Sequence, residues 1–352
     1  MIQKILLSLG VILSLGFSQN LSATDAKKFP FKKPRSIFDK MYGRKVVDVQ
    51  LVFDLAAVIN DRKKDDEHPA QFIYKPKRGQ PQYWDVTIKI RGVYRRYNCT
   101  EMPPFKLNFS KKDLKARGFS KFDDYKLVTQ CIQDEQQARD LVIKEYLAYK
   151  YYAAITKESF RVQLLNITYV DSKTDKTIHH VGFIIEDFAE LRNRIGAAKV
   201  KKMFGVSSAS MARVNAEYFQ RMAYFQYLIG NTDWGIESLR NIKIAEKDSS
   251  WLCIPYDFDF SGLVNAPYAT VYSDEESKGI SLRDRVFMGL PVGLYPLEEP
   301  LALFLKKKRK LKRITRRVRY LSSEGRRDAL DYVDSFFDNL GTLRILKSKA
   351  SF

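Results

Sequence analysis

Between positions 46 and 55 apolar and polar residues alternate with the two-residue period of a half-buried strand. The same period returns over 83–94 (YWDVTIKIRGVY), 105–109 (FKLNF) and 124–131 (DYKLVTQC), each rich in β-branched or aromatic side chains. The charged cluster 61–68 between the first two reads as a loop. Over 136–155 the period changes, because Leu141, Tyr146, Leu147, Ala148 and Tyr151 recur at helical spacing with acids toward the start. Two further strands follow, 161–170 (RVQLLNITYV) and 180–186 (HVGFIIE), joined by the turn-rich SKTDKT. After Asp187 the chain turns helical. The segment 216–229 (AEYFQRMAYFQYLI) is apolar almost all round and predicts a core helix, 241–244 and 251–260 predict a short hairpin, and 298–340 is helical again.

This order divides the chain into a sheet-rich N-lobe with one helix over 46–187 and a mainly helical C-lobe over 188–352 that carries the hairpin and a basic final helix. Ahead of them, Lys4 precedes the apolar run from Ile5 to Phe17, too short to span a hydrocarbon core of roughly 30 Å, and Leu21-Ser22-Ala23 offers a small-residue cleavage site. Residues 1–23 are therefore expected to be a signal peptide and 24–45, basic and carrying Pro30 and Pro34, a linker. The expected location is periplasmic or extracellular.

Composition narrows the function classes. With 45% hydrophobic and 29% charged residues, the chain has the apolar content for a large core, which excludes disordered, collagenous and multi-span membrane classes. Sixty-one Lys and Arg against forty-one Asp and Glu give a net charge of +20, a field that favours anionic partners. Ten of the fourteen residues from Lys306 to Arg319 are basic, while Phe304, Leu311, Ile314, Val318 and Leu321 form one apolar stripe. That pattern fits either the solvated face of a packed helix or a surface for an anionic polymer or membrane. Export argues against nucleic acid. Cys99, Cys131 and Cys253 with three histidines make no zinc set of ordinary spacing; Cys99 and Cys131 either join in a disulfide or stay as buried thiols.

The densest polar chemistry is Gly230-Asn231-Thr232-Asp233-Trp234, then Arg240-Asn241-Ile242-Lys243-Ile244, then Pro255-Tyr256-Asp257-Phe258-Asp259-Phe260. An Asp in a turn after a core helix, an Asn at the mouth of a hairpin and an Asp-x-Asp at its end can converge on a hard cation that bridges nucleotide phosphates. The sheet-rich half supplies cations in Arg91, Arg95, Arg96, Lys106 and Lys126, on or beside strands, and Glu145 on the following helix is placed to pair with one of the lysines. The motifs of serine hydrolases and zinc proteases are absent, as is the kinase G-x-G-x-x-G. A glycosidase carboxylate pair stays open on spacing alone.

In this order, RGVYRR, PPFKLNF, KLVTQC, KEYLAYK, RVQLLNITYVD, GFIIED, GNTDW, RNIKI and PYDFDFSG, the chain resembles the spore-coat CotH-type atypical kinases and their exported bacterial relatives over roughly residues 80–265. The resemblance implies an α+β, bilobal, atypical protein-kinase-like fold that transfers phosphate from ATP with Mg²⁺ or Mn²⁺ to a hydroxyl, on a protein or another acceptor. It implies Asp233 as the catalytic aspartate and Asn241 and Asp257 as metal ligands, with Asp259 supporting the metal. Lys126 or Lys106 would neutralise phosphate, with Arg91 standing in for glycine-rich backbone amides and Glu145 as the lysine's partner. The interval from Asp233 to Asn241 is longer than the five residues of ordinary protein kinases. A periplasm or exterior holds little ATP, so the nucleotide is delivered locally or the donor differs. The alternative is a catalytically inactive kinase-like module that binds an acidic polymer, lipid head groups or a partner protein.

Overall fold

The alternating strands close on themselves. In the computed structural model, which describes residues 34–43, 45–76, 78–99, 102–201, 203–271, 279–291 and 298–339, seven strands form a closed barrel. The expected signal peptide lies outside the described residues. The barrel strands are β1 (Val47–Phe53), β2 (Glu67–Lys75), β3 (Gln82–Ile90), β4 (Phe105–Phe109), β5 (Asp124–Val128), β6 (Val162–Asp171) and β7 (Thr177–Ile185), in spatial order β1-β2-β3-β4-β5-β7-β6. Closure comes from parallel pairing of β1 with β6, Val47 opposite Leu165 through Phe53 opposite Asp171, which leaves neither strand an open edge. An open N-lobe sheet of the protein-kinase kind is thus replaced by a barrel in a mixed α and β chain.

Alternation explains the inside of the barrel. Val47, Val49, Leu51 and Phe53 of β1 and Phe105, Leu107 and Phe109 of β4 point inward and are buried, and Lys106 and Asn108 point out. Strand β2 is absent from the sequence-based expectation because its first residues belong to the charged cluster and it carries Pro69. Pro69 sits where β2 pairs with β3 alone, since the β1 register begins at Ala70.

Helices fill the rest. Helix α1 (Ile37–Met41) falls inside the stretch expected to be a linker; Ser36 caps it and Ile37, Phe38 and Met41 are buried in the barrel core. Short helices α2 (Leu55–Asn60), α3 (Val93–Asn98) and α4 (Lys111–Ala116) connect strands, and α5 (Glu135–Ile155) follows β5. After the barrel come α6 (Phe188–Ile195), β8 (Ala198–Lys199), α7 (Ser208–Met211), the core helix α8 (Ala216–Ile229), the hairpin β9 (Ile242–Lys247) and β10 (Ser250–Pro255), α9 (Glu298–Arg317) and α10 (Ser323–Asp338). A second core joins α5, α8, α9, α10 and the hairpin to Leu164, Phe183 and Ile185 on the barrel's outer face. Tyr224 of α8 lies edge-on to Phe304 and Phe336 at 4.8 and 5.4 Å, which fixes α9 and α10 against α8. Among the described residues no helix is long and apolar enough to cross a membrane.

Cys99, which ends α3, is disulfide-bonded to Cys131, just before the Asp134 cap of α5. Cys253 is a buried thiol whose pKa burial pushes up, so it packs rather than reacts. The bond closes a loop with a sequence separation of 32. Cys99→Ser/Cys131→Ser is expected to lower the unfolding free energy by about 3–4 kcal/mol in urea titrations. A loss under about 1 kcal/mol would mean that the bond does not constrain the unfolded chain.

Candidate active site

Three turns bring the acidic residues together. Helix α8 ends at Gly230, which takes φ 63° and lies so close to Tyr332 that a Cβ there would sit 1.9 Å from the Tyr332 hydroxyl. The backbone then pairs with the loop after β10, with the Gly262 and Leu263 N–H groups donating to Gly230 and Ile229 carbonyls at 2.9 Å. Buried Asn231 holds the turn, since its Oδ1 accepts from the Asp233 N–H at 3.0 Å and its Nδ2 donates to Gln226 Oε1 at 3.0 Å. Asp233 therefore leaves the turn in a fixed direction.

Asn241 meets it there. Its Nδ2 donates to the Asp233 carbonyl at 2.8 Å and to Asp233 Oδ2 at 2.9 Å, while Arg240 Nε stands 3.4 Å from Oδ1. The eight-residue interval is spanned because Leu239 and Asn241 adopt positive φ, which folds the segment back. Burial pushes the Asp233 carboxyl above its usual range; Arg240 opposes this, and the charges of Asp259 and Asp257 add to it.

Asp257 and Asp259 flank Phe258, which is buried between Tyr149 and Phe225 at ring distances of 4.6 and 5.5 Å. With the phenyl ring anchored in the core, both carboxylates turn toward the barrel. Asp257 takes φ 64°, a conformation aspartate tolerates better than most residues, and its N–H donates to the Tyr149 hydroxyl at 2.9 Å. Both its carboxylate oxygens stand 3.5 Å from Arg91 Nη2. Burial would raise its pKa, but Arg91, Arg95 and Lys126 hold it below the ordinary carboxylate value.

The basic side of the cleft comes from the barrel wall and the hairpin. Lys126 of β5 lies with its ammonium 3.9 Å from the Tyr256 ring centre, and Lys243 of β9 faces the same ring at 5.3 Å. Burial and the Arg91 charge lower the Lys126 pKa to about 7, with Asp257 opposing and Lys243 adding. Lys106 is opposite Lys126 across the strand pair but forms a salt bridge with Asp124 at 2.9 Å and is about two-fifths exposed. Of the two lysines, Lys126 shares the cleft with Asp257.

Glu145 does not pair with either lysine. Gly92, at φ 77°, breaks the strand expected to run to Tyr94, and α3 follows, carrying Arg95 inward. Arg95 Nη2 is 2.9 Å from Glu145 Oε2 and 2.7 Å from Asp259 Oδ2, and its Nε donates to the same Asp259 oxygen at 3.2 Å. Asp259, expected to support a metal, is instead held in this triad, with Tyr268 donating to it at 3.4 Å. Exposure separates the two kinds of acid. Asp233 and Asp257 side chains are 28% and 27% exposed, open to a ligand, against 2% for Glu145 and 10% for Asp259.

Among the described residues no three His, Cys, Asp or Glu side chains are placed to hold a metal by themselves. Mg²⁺, however, commonly takes one or two carboxylates and completes its shell with water and substrate phosphates. The donors here fit a metal that arrives with a phosphate ligand at Asp257 and do not fit one caged by protein alone. Tyr149, Tyr256, Lys243 and Arg240 complete the site without having been assigned a role from sequence. For Tyr149 the signal was its spacing from Glu145, four apart on one helix; Lys243 lies on β9, just past the turn that holds Asn241.

No family model and no curated protein matches this chain. Among solved structures it is similar to the Helicobacter pylori proinflammatory kinase CtkA, with 10% identity over 75% of this chain and 90% of that one, at a TM-score of 0.34. Similarity of that size does not establish a shared fold, and the geometry of the cleft has to carry the function.

Proposed function

We propose that this protein is an atypical kinase that transfers a phosphoryl group from a nucleotide to a hydroxyl, on a protein or another acceptor. The observation that carries the proposal is the convergence in one cleft of a hydrogen-bonded Asp233–Asn241 pair, a solvent-accessible Asp257, and the cations Arg91, Lys126 and Lys243. Phosphates bind against Arg91 and Lys126, and Lys243 extends the positive wall. Asp257, with the side-chain carbonyl of Asn241, would hold a divalent metal, Mg²⁺ or Mn²⁺, which supplies charge neutralisation on the transferring phosphate. Asp233 receives the proton of the attacking hydroxyl as that oxygen bonds to the terminal phosphorus and the bond to the leaving phosphate breaks. Its raised pKa brings it closer to a general base's working range.

The test is incubation of the full chain with γ-labelled ATP, Mg²⁺ and a mixture of hydroxyl-bearing peptides. Label is expected on a hydroxyl, the chain's own included, and Asp233→Asn is expected to reduce transfer by about 10²–10⁴-fold while nucleotide still binds. Transfer that survives Asp233→Asn would remove Asp233 as the base.

Lys126 adds a proton signature. A lysine titrating near 7 is mostly neutral at pH 8, and a bound phosphate favours its charged form, so binding takes up a proton. Calorimetry at pH 8 in buffers of different ionisation enthalpy is expected to find uptake approaching one proton per nucleotide, absent in Lys126→Met. Equal uptake in both proteins would place the phosphates away from Lys126.

A further inference from the structure

The basic helix α9 is not uniform around its axis. On one side Lys312 lies 2.6 Å from Asp334 of α10, and Lys308 stands 4.0 and 3.8 Å from Asp334 and Asp338, so these charges are compensated within the fold. The apolar stripe, with Phe304 and Leu311 buried, packs into the second core. A third side borders a cavity of about 670 Å³ against α5 and the barrel. Six cations line it: Lys310, Arg313, Arg317 and Arg319 from α9 and its end, Lys150 from α5, and Lys45 ahead of β1. No acid lines it, and among the described residues none of the six has a salt bridge. Tyr146, Leu164 and Val318 give it an apolar wall.

Six like charges around one cavity repel each other, and a ligand with a single charge leaves most of that repulsion in place. Burial, with the charge of Lys310 added, lowers the Lys150 pKa, as expected of a cation lacking its counter-ion. Arginine forks favour bidentate contact with phosphate oxygens, and the apolar wall accepts the face of a ring or the root of a lipid headgroup. The volume suits a small molecule rather than a polymer segment. We propose that this cavity is a binding site for a multiply phosphorylated small molecule or headgroup, separate from the cleft that holds Asp233 and Asp257.

A diffuse positive surface and a built site make different predictions for equal changes in charge. The pocket variant is Lys150→Gln/Lys310→Gln/Arg313→Gln; the control is Lys306→Gln/Arg309→Gln/Arg316→Gln, three exposed cations of the same helix that do not line the cavity. Binding of inositol hexakisphosphate to the full chain near physiological ionic strength is measured by calorimetry, with circular dichroism melting to show that both variants fold. The site predicts at least a tenfold loss of affinity in the pocket variant and less than about a threefold loss in the control. Equal losses, or no binding by the native chain, would overturn the proposal. A second arm uses phosphatidylcholine vesicles with and without phosphatidylinositol bisphosphate. Binding to the loaded vesicles that is lost in the pocket variant identifies a headgroup as the ligand, and binding of the soluble compound alone identifies a free polyphosphate.

Discussion

Arg95→Ala is expected to lower the unfolding free energy by about 3–5 kcal/mol, the range for removing one partner of a buried ion pair. The Arg95, Glu145 and Asp259 side chains are 8%, 2% and 10% exposed, so the two carboxylates left behind are almost cut off from bulk water. The loss should depend on pH. Burial raises the Glu145 carboxyl to about 7 even with Arg95 opposing, and Asp259 is raised as well. A carboxyl whose folded pKa exceeds its unfolded value of 4.5 favours folding most fully below that value. It gives up that contribution as pH rises toward 7. Without Arg95 both pKa values climb further, so the variant's deficit grows from pH 5 to pH 8. Adding Glu145→Gln and Asp259→Asn should restore part of the stability and flatten the pH dependence. Urea titrations at the two pH values check this, and a pH-independent loss under about 1 kcal/mol would mean that the triad is not formed.

The second large effect falls on Asp257. Asp257→Ala is expected to remove the metal dependence of nucleotide binding and to cut phosphate transfer by at least about 10²–10³-fold, the scale for losing one preorganised electrostatic contact. Arg91 and Lys126 then lose their carboxylate, which leaves two cations free for metal-free nucleotide. Affinity for ATP without metal should therefore persist in the variant. Asp259→Asn, by contrast, touches a carboxylate bound to Arg95, and its cost should appear in stability with the metal dependence kept. Direct binding titrations with and without Mg²⁺ separate the two acids.

The sequence made the period-two strands legible because each needs one buried face, as in FKLNF and YWDVTIKI, and it made α8 legible because an all-apolar helix belongs in a core. It left β2 unseen, since Glu67, His68 and Pro69 look like loop, and α1 unseen, since three apolar residues among basic ones and prolines set no period. Closure of the barrel rests on a parallel pairing between segments more than a hundred residues apart, which no local pattern records. In the candidate site, Asp233, Asn241 and Asp257 were singled out by the order of their motifs and the resemblance those motifs carry, and they lie with Lys126 along one cleft. The partners of Glu145 and Asp259 were not. Arg95 reaches both because Gly92 turns a strand into a helix, and the consequence of one positive φ appears only in three dimensions.

Binding of a nucleotide with a divalent metal in the cleft between the barrel and the β9–β10 hairpin is what the proposed function requires first. Its most direct test is the unfolding free energy of the full chain with ATP alone, Mg²⁺ alone and both together, beside Asp257→Ala. At a hundredfold excess over Kd, ATP with Mg²⁺ is expected to stabilise the native chain by about 2.7 kcal/mol, with the metal-dependent part absent in Asp257→Ala. No stabilisation by ATP or any other nucleotide, with or without Mg²⁺ or Mn²⁺, would rule out the kinase function proposed for this cleft.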